Sequence, residues 1–261
     1  MKKYLVIGNP ISHSLSPQLH NYWIKQNNIN AVYDKMEINE PDLKNIINKV
    51  KKDEINGINV TIPFKKSVIY FLDQLTPLAK EIQSVNTIFK KNNKVIGDNT
   101  DVNGFERSLK HINYNVKNKK AFILGAGGVA PSIILALKRL GVTKIALSNR
   151  TKEKAEELKK TFSDLNIIEW GQNTEFDIII NATSLGLKNE DQFKLDFGNI
   201  GSNKLFYDVI YNKKKTNFLL NGEKLGNKIV NGKMMFIYQA QLSFKIWHNI
   251  LPEVKDNLLD Q

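Results

Sequence analysis

Residues 120–148 constrain the fold of this 261-residue chain more than any other segment. They contain a short apolar strand, a glycine turn of the form Gly125-x-Gly127-x-x-Ala130, a helical stretch and a second strand. In such a turn the first glycine permits the tight bend, the second lets the backbone approach a pyrophosphate, and the small third residue lets the helix pack closely. Glycine turns before helices also occur without a ligand, but a strand on each side favours a dinucleotide-binding unit of the Rossmann type.

The residues that follow the second strand of this unit favour NADP over NAD. An NAD site usually carries an acidic residue about 20 residues after the glycine turn, where it binds the ribose 2′-hydroxyl. This chain has Asn149, Arg150 and Thr151 at that place. A guanidinium can bind a 2′-phosphate by charge and paired hydrogen bonds, and Thr151 and Lys154 can add contacts, whereas a carboxylate would repel the phosphate. The alternative is a surface arginine at the end of a strand.

The first hundred residues alternate between strand-like and helix-like runs. Strands are predicted at 4–7, 31–36 and 57–61, and helices at 17–26 and 41–50. This alternation predicts a mainly parallel sheet covered by helices, in which ligands bind at the carboxyl ends of the strands. We therefore expect the loops that carry Ser14, Thr61 and Lys65 to face one crevice.

Lys65 and Asp101 are candidates for proton transfer. Lys65 lies just beyond the third strand-like run, and Asp101 closes a polar loop before a predicted helix at 104–111. A lysine and a carboxylate brought together in a crevice can exchange a proton with an alcohol, because the carboxylate orients the ammonium. Taken from the residues alone, either can equally be an ordinary surface charge.

Composition excludes several classes of protein and site. The chain has no cysteine, which excludes disulfides, thiolate metal sites and cysteine nucleophiles. Its four histidines show no metal-ligand spacing, so we expect no metal site. The absence of cysteine also fits a cytoplasmic protein, which is the location we expect. No apolar run approaches the roughly 18 to 20 residues that spanning a bilayer requires, so we expect no membrane partner.

The formal net charge of +12 does not by itself indicate nucleic-acid binding. The sequence contains only three arginines, Arg107, Arg139 and Arg150, and its lysines are scattered. A phosphate-binding groove usually gathers its basic residues on one face. We therefore expect no nucleic-acid partner, although a basic protein that has kept the fold without the chemistry remains a distant alternative.

A series of short motifs runs along nearly the whole chain. The series comprises Gly8 to Pro17 (GNPISHSLSP), Gly57 to Lys65 (GINVTIPFK), Ser84 to Thr87 (SVNT), Gly97 to Asp101 (GDNTD), Gly125 to Gly128 (GAGG), Asn149 to Thr151 (NRT), Asp208 to Asn212 (DVIYN), Asn231-Gly232 and Gln239-Ala240. Together these motifs resemble the shikimate dehydrogenase family. The resemblance implies an NADP(H)-dependent enzyme that interconverts 3-dehydroshikimate and shikimate in chorismate and aromatic amino-acid biosynthesis. Hydride would pass from nicotinamide C4, and the proton would pass through Lys65 assisted by Asp101.

The resemblance also implies roles for individual residues. The substrate carboxylate would be bound by Ser14, Ser16, Thr61 and Tyr211. The ring hydroxyls and the reacting carbonyl would meet Lys65, Asn86, Asp101 and Gln239. The cofactor would contact Gly125, Ala126, Gly127, Gly128, Val129, Asn149, Arg150, Thr151 and Lys154, with Val209 and Gly232 beside the nicotinamide.

The implied fold is α/β throughout. An N-terminal, mainly parallel α/β substrate domain would span 1–103 and be completed by C-terminal helices at 238–261. A Rossmann-type NADP-binding domain would span 104–237, and the active site would lie in the cleft between the two domains.

Several alternatives stay open at this point. Ser14 and Ser16 can be helix caps, Tyr211 a packing residue and Gln239 a core amide, and His13 is better explained as structural than catalytic. The chain departs from the family pattern at Lys213, where a proline is usual, and at Pro77, where an acidic residue is frequent. A relative that acts on quinate or an aminated shikimate analogue is the nearest rival in function, and the oligomeric state is open, with a homodimer as one alternative.

Overall fold

The computed structural model describes residues 1–188, 190–191, 193, 195–197, 200–255 and 258–259. The chain forms two compact units, which we call unit 1 and unit 2. Unit 1 consists of Met1–Gly104 and Ile237–Gln261, and unit 2 consists of Phe105–Phe236. Each unit is an α/β structure built around a six-stranded sheet.

Unit 1 alternates strands and helices through its first sixty residues and then adds a hairpin. Its elements are β1 (Lys2–Gly8), α1 (Ser16–Gln26), β2 (Ala31–Glu37), α2 (Leu43–Lys51), β3 (Gly57–Val60), β4 (Gln74–Leu75), α3 (Pro77–Ile82), β5 (Thr87–Lys91) and β6 (Lys94–Asp98). Short 3-10 turns precede α2 and β4. The strand order is β2-β1-β3-β5-β6-β4, with β5 antiparallel to both of its neighbours and the other pairs parallel.

The register of this sheet brings four separate segments to one edge. Strands β1 and β3 are parallel, so the loops that follow them leave from the same edge. Strand β5 runs the opposite way and Thr87 pairs with Asn59, so the chain enters β5 at that edge. Strand β6 reverses again, with Asp98 opposite Thr87, and its carboxyl end arrives there too. The polar loops predicted to carry the site therefore converge.

Helix α4 (Asp101–His111) begins three residues earlier than the predicted start at 104. The Asn99 Oδ1 atom accepts hydrogen bonds from the backbone N–H groups of Asp101 and Val102, at 3.0 and 3.3 Å. An asparagine in this position satisfies amides that the first helical turn leaves unpaired. Asp101 is therefore the first residue of a helix and not the last residue of a loop.

Where C-terminal helices were expected at 238–261, the structure has the single helix α8 (Lys233–His248), and the described residues 249–255 are not helical. Asn249 follows it in the left-handed region with φ 53°, a conformation that stops helices and that asparagine tolerates. Within unit 1, Trp247 covers Gly57 on β3, where a methyl group would overlap the indole ring. Its Nε1 atom donates a hydrogen bond to the backbone oxygen of Ile88 at 3.0 Å. Trp247 of α8 thus contributes to the core of unit 1.

Unit 2 contains an entirely parallel sheet. Its elements are β7 (Lys120–Leu124), α5 (Ala130–Arg139), β8 (Lys144–Ser148), α6 (Lys152–Thr161), β9 (Asn166–Ile168), β10 (Ile178–Asn181), β11 (Leu205–Asp208), α7 (Asn217–Lys224) and β12 (Lys228–Val230). The strand order β12-β11-β10-β7-β8-β9 is that of a doubly wound Rossmann sheet, in which the order reverses beside the first strand. The strand-turn-helix-strand prediction for 120–148 is confirmed.

The sequence did not predict the short or half-exposed elements of unit 2. β9 and β12 have three residues each, too few to show a period, and α6 has only one buried residue, Ala155. The pattern of α7 is interrupted by the polar Asn221 and by Gly222, which packs against Phe206. In the part of the chain that the structure describes, no helix combines the length and hydropathy needed to cross a membrane.

His20 is an ionisable residue inside the apolar core of unit 1. Its side chain is 1% exposed and stacks on Tyr33 with ring centroids 4.2 Å apart. Neither ring nitrogen has a hydrogen-bond partner among the described residues. Burial, with a contribution from nearby His248, lowers the pKa of His20 to about 3. The imidazole is therefore neutral in the folded protein.

We predict that His20 makes unit 1 sensitive to acid. Because the pKa is 6.5 in the unfolded chain and about 3 in the fold, the unfolded state binds more protons between these values, and stability falls as the pH falls. Between pH 7 and pH 5 this one group should cost about 2 kcal/mol. Urea unfolding at both pH values measures the effect, and His20→Phe should lose less stability than wild type by that amount. Equal losses in the two proteins would contradict the assignment.

Candidate active site

The candidate catalytic pair is in place in unit 1. Lys65 Nζ lies 2.5 Å from Asp101 Oδ2, and the two residues are 7% and 5% exposed. Lys65 belongs to the loop after β3, and its backbone oxygen accepts a hydrogen bond from Val85 at 2.8 Å. Asp101 is fixed as the first residue of α4. The two charges, predicted from separate motifs, therefore form a buried ion pair at the convergent edge of the sheet.

Asn86 holds the carboxylate of this pair from the other side. Its Nδ2 group donates to Asp101 Oδ1 at 2.9 Å, while Lys65 takes the second carboxylate oxygen. Its Oδ1 atom accepts from the backbone N–H of Thr100 at 2.8 Å. A carboxylate satisfied at both oxygens cannot rotate without losing a hydrogen bond. The arrangement therefore fixes the direction in which the lysine ammonium is presented.

A cluster of buried hydroxyl groups lies beneath Asn86. The sequence motifs had predicted no role for these hydroxyl groups. Ser243 Oγ, on α8, lies 2.7 Å from Thr87 Oγ1 and 3.2 Å from Thr100 Oγ1. Asn59 Nδ2 donates to Ser243 Oγ at 3.0 Å and to the backbone oxygen of Asn86 at the same distance. Thr87, Thr100 and Asn59 lie inside recognised motifs, which was a usable signal. Ser243 lies in an apolar stretch of helix, and nothing in the sequence distinguishes it.

The remaining predicted substrate residues of unit 1 lie on the loops of the same edge or on α8. Ser14 Oγ accepts a hydrogen bond from the N–H of Ser16 at 3.3 Å, and Ser16 begins α1, so both residues also shape the start of that helix. Thr61 follows β3 and its methyl group crowds Gly8 at the end of β1. Gln239 Oε1 accepts a hydrogen bond from Asn86 Nδ2 at 3.3 Å. His13 is exposed.

The glycine turn of unit 2 leaves backbone accessible at the start of α5. Gly125 has φ +106°, and a methyl group there would lie 2.7 Å from Thr183 Cγ2 and 3.0 Å from the backbone of Ala182. At Gly127 a methyl group would meet only the oxygen of Ala182, at 4.0 Å, so the space in front of this residue is open. Gly125 is thus required by the fold, whereas Gly127 leaves room for a ligand. Ala126, Gly128 and Val129 complete the turn and are partly exposed.

The segment after β8 lies directly beside this turn. Asn149 Oδ1 accepts from the N–H of Ala126 at 2.9 Å, and its Nδ2 donates to the oxygen of Thr151 at 2.7 Å. The side chain of Asn149 therefore holds the backbone of the glycine turn against the segment after β8. The side chains of Arg150, Thr151 and Lys154 are exposed. A pyrophosphate at the turn and a 2′-phosphate at the arginine suit this donor set, so the residues present fit NADP.

Three further predicted residues lie near one another in unit 2. Val209 follows β11, and Gly232 packs so closely on its carbonyl group that a methyl group would overlap it. The N–H of Gly232 donates to the oxygen of Ile210 at 3.0 Å. Tyr211 is half-buried and stacks on Phe236 with ring centroids 4.1 Å apart. Packing is therefore one role of Tyr211.

The described residues offer no group of three or more histidine, aspartate or glutamate side chains placed to hold a metal ion.

Two family models match the chain in succession. "Shikimate dehydrogenase substrate binding domain" matches residues 6–88, and "Shikimate / quinate 5-dehydrogenase" matches residues 107–188.

Curated relatives and solved structures agree with these models. A shikimate dehydrogenase (NADP(+)) of Pelagibacter ubique is 57% identical, covering 99% of each chain, and one from Caldicellulosiruptor saccharolyticus is 42% identical, covering 100% of this chain and 97% of the relative. The crystal structure of shikimate dehydrogenase from Aquifex aeolicus superposes with a TM-score of 0.91 at 38% identity, over 100% of this chain and 96% of that one. A Thermus thermophilus shikimate 5-dehydrogenase in complex with NADP(H) and shikimate has a TM-score of 0.88 at 29% identity, over 97% and 95%. This chain belongs to the shikimate dehydrogenase family.

Proposed function

We propose that this chain catalyses the reversible, NADP(H)-dependent reduction of 3-dehydroshikimate to shikimate, a step in the biosynthesis of chorismate and the aromatic amino acids. The observation that carries the proposal is the buried Lys65–Asp101 ion pair at 2.5 Å, supported by Asn86. The family membership indicates which substrate and cofactor the chain uses. The ion pair provides the proton donor that the reaction requires.

The chemistry requires a hydride and a proton to arrive at one carbonyl group. NADPH, when bound, supplies the hydride at its nicotinamide ring. Lys65 supplies the proton from Nζ to the carbonyl oxygen as negative charge develops there. Asp101 orients the ammonium through Oδ2, and Asn86 holds Asp101 through Oδ1. In the reverse direction the neutral lysine accepts the proton of the shikimate hydroxyl.

Two sets of side chains bind the substrate in this proposal. Ser14, Ser16, Thr61 and Tyr211 bind the carboxylate through hydroxyl groups. Lys65, Asn86, Asp101 and Gln239 contact the ring hydroxyls and the reacting carbonyl. Support for the second set is that all four are joined in unit 1 by hydrogen bonds of 2.5–3.3 Å.

The cofactor is assigned to unit 2. Gly125, Ala126, Gly127, Gly128 and Val129 would hold the pyrophosphate, Asn149 would fix the turn, and Arg150, Thr151 and Lys154 would hold the 2′-phosphate. Val209 and Gly232 would flank the nicotinamide. In domain terms, 1–103 with 238–261 binds the substrate and 104–237 binds NADP(H).

The proposal also covers the cellular location and the partners of the enzyme. We place it in the cytoplasm, with small molecules as its partners and no role for nucleic acid. Support comes from the absence of cysteine and from lysines that are scattered along the sequence. A homodimer is one alternative for its assembly.

The experiment that tests the activity is direct. Purified protein is mixed with shikimate and NADP⁺, then with NAD⁺, and the near-ultraviolet absorbance of the reduced nicotinamide is followed. Rapid reduction with NADP⁺ is the expected result. If shikimate gives no reduction but quinate or an aminated analogue does, that acid is the substrate instead of shikimate. If none of these acids is turned over, the proposal is refuted.

Lys65→Met should lower kcat by about 10² to 10⁴, because the proton donor is lost while the side-chain volume is kept. NADPH binding, measured by nicotinamide fluorescence, should stay near the wild-type value. Lys66→Met is the matched control, since Lys66 is the exposed neighbour in the same loop. Unchanged turnover in a folded Lys65→Met protein would rule out the assigned role.

Gly127→Ala should weaken NADPH binding without changing the melting temperature. The added methyl group meets no protein atom closer than 4.0 Å, so it occupies only the space assigned to the cofactor. Gly125→Ala is the contrasting variant and should lower the melting temperature, because its methyl group would lie 2.7 Å from Thr183. Normal NADPH binding by Gly127→Ala would show that the cofactor does not lie against this turn.

Arg150→Ala should weaken the binding of NADPH by about 1 to 3 kcal/mol, the contribution of a charge-assisted hydrogen bond, and should leave the binding of NADH unchanged. Parallel fluorescence titrations with the two cofactors measure the difference. The side chain is exposed, so its removal should not disturb the fold. Equal weakening of both cofactors would argue against contact with the 2′-phosphate.

A further inference from the structure

We propose that Asp208 is a positioning residue, whose buried carboxylate fixes the segment 209–211 in the arrangement that binds the nicotinamide and the substrate. The proposal rests on the proposed function, which gives Val209 and Tyr211 their ligands. It concerns a residue that touches neither ligand in that scheme. The hydrogen bonds around Asp208 within unit 2 support this role.

Three segments donate hydrogen bonds to this one carboxylate. Thr216 Oγ1 donates to Oδ2 at 2.6 Å. Asn181 Nδ2 donates to Oδ1 at 3.0 Å, and so does the backbone N–H of Ile210. The donors come from the end of β10, from the chain just after β11 and from the start of α7. The carboxylate therefore reinforces the backbone ladder between β10 and β11, and it links that ladder to the start of α7.

Each donor is itself tied to a neighbouring element. Thr216 Oγ1 also accepts from the N–H of Leu219 at 3.4 Å and so caps α7. Asn181 Oδ1 accepts from the N–H and the hydroxyl of Thr183, at 3.0 and 2.6 Å. The methyl group of Thr183 lies against Gly125 of the glycine turn. The network thus reaches from the loop after β11 to the turn assigned to the pyrophosphate.

The segment that Asp208 holds is also the one that the proposed ligands need. The N–H of Ile210 is fixed by Asp208, and its oxygen accepts the N–H of Gly232, which packs on Val209. Tyr211 follows immediately and stacks on Phe236. A displacement of Ile210 would therefore move both the surface given to the nicotinamide and the tyrosine given to the substrate carboxylate.

The placement of the charge is costly, which argues against an incidental role. Asp208 is 0% exposed, and all three of its donors are neutral groups. Burial raises the pKa of Asp208 to about 6, against the lowering effect of the hydrogen bonds. Burial raises the pKa of Tyr207, the neighbouring ionisable side chain on β11, and the charge of Asp208 adds to this rise. A neutral residue of similar size would avoid the desolvation cost but would not accept three hydrogen bonds.

Four variants separate positioning from simple stability. Asp208→Asn replaces one acceptor oxygen by a donor, and Thr216→Val removes the hydroxyl that faces it. Thr216→Ser keeps that hydroxyl and should restore wild-type behaviour. Tyr207→Phe is the matched control, because it removes a different buried hydrogen bond of β11, the one between the hydroxyl groups of Tyr207 and Ser108 at 2.8 Å.

Two independent readouts are compared across these proteins. The first is hydrogen exchange of the Ile210 amide together with the melting temperature. The second is the KM for shikimate and the Kd for NADPH. In Asp208→Asn and Thr216→Val we expect faster amide exchange and a rise of about tenfold in KM and Kd, the size associated with one lost charge-assisted hydrogen bond. Tyr207→Phe should lower the melting temperature but leave KM, Kd and the exchange rate unchanged.

The outcomes are distinguishable from failure of the proposed function. If wild type does not turn over shikimate, that function is refuted, and the NADPH titration with the exchange data still decides the role of Asp208. Unchanged exchange in Asp208→Asn and Thr216→Val overturns the proposal. Faster exchange with unchanged KM and Kd also overturns it, as does an equal loss of binding in Tyr207→Phe, because a purely structural role would then be sufficient.

Discussion

The parallel pairing of β1 with β3 and of β10 with β7 and β11 is the constraint on which the rest of the molecule depends. Parallel strands deliver every loop that follows them to the same edge of the sheet, whatever the sequence of those loops. The chain uses this edge twice, once in each unit. In unit 1 the antiparallel strand β5 lies between β3 and β6, so these two strands run in the same direction and bring Lys65 and Asp101, which follow them, to that edge. The chemistry of each site is then a matter of which polar residues occupy those loops.

Both units secure their loops in the same way, with a buried amide or carboxylate that satisfies several backbone groups. Asn86 binds the backbone of Thr100 and the carboxylate of Asp101 in unit 1. Asp208 binds the backbone of Ile210 and the side chain of Asn181 in unit 2. A buried polar residue of this kind is stable only when nearly every donor and acceptor is matched, so it tolerates few alternative loop conformations. Precision at the edge is therefore obtained from hydrogen bonds beneath the site.

Local sequence signals predicted those parts of the structure whose causes are local. The strands 120–124 and 144–148 and the glycine turn between them were found because apolar runs and glycine positions are properties of short segments. The start of α4 was missed by three residues, since it depends on the side chain of Asn99, which reads equally well as part of a polar loop. The roles of Ser243, His20 and Asp208 were also missed. Each depends on neighbours from distant segments, and a single sequence does not reveal which distant segments pack together.

The contact between Gly57 and Trp247 has a consequence for how the protein is made. Strand β3 leaves a gap where a side chain would be, and that gap is filled by a residue 190 positions later, with Ser243 and Phe244 of the same helix entering the core beside it. A ribosome releases the chain from the amino terminus, so unit 1 emerges first and is completed last. Unit 2 is synthesised while Gly57 still lacks the indole ring that covers it. The core of unit 1 is therefore complete only after the residues of α8 have left the exit tunnel.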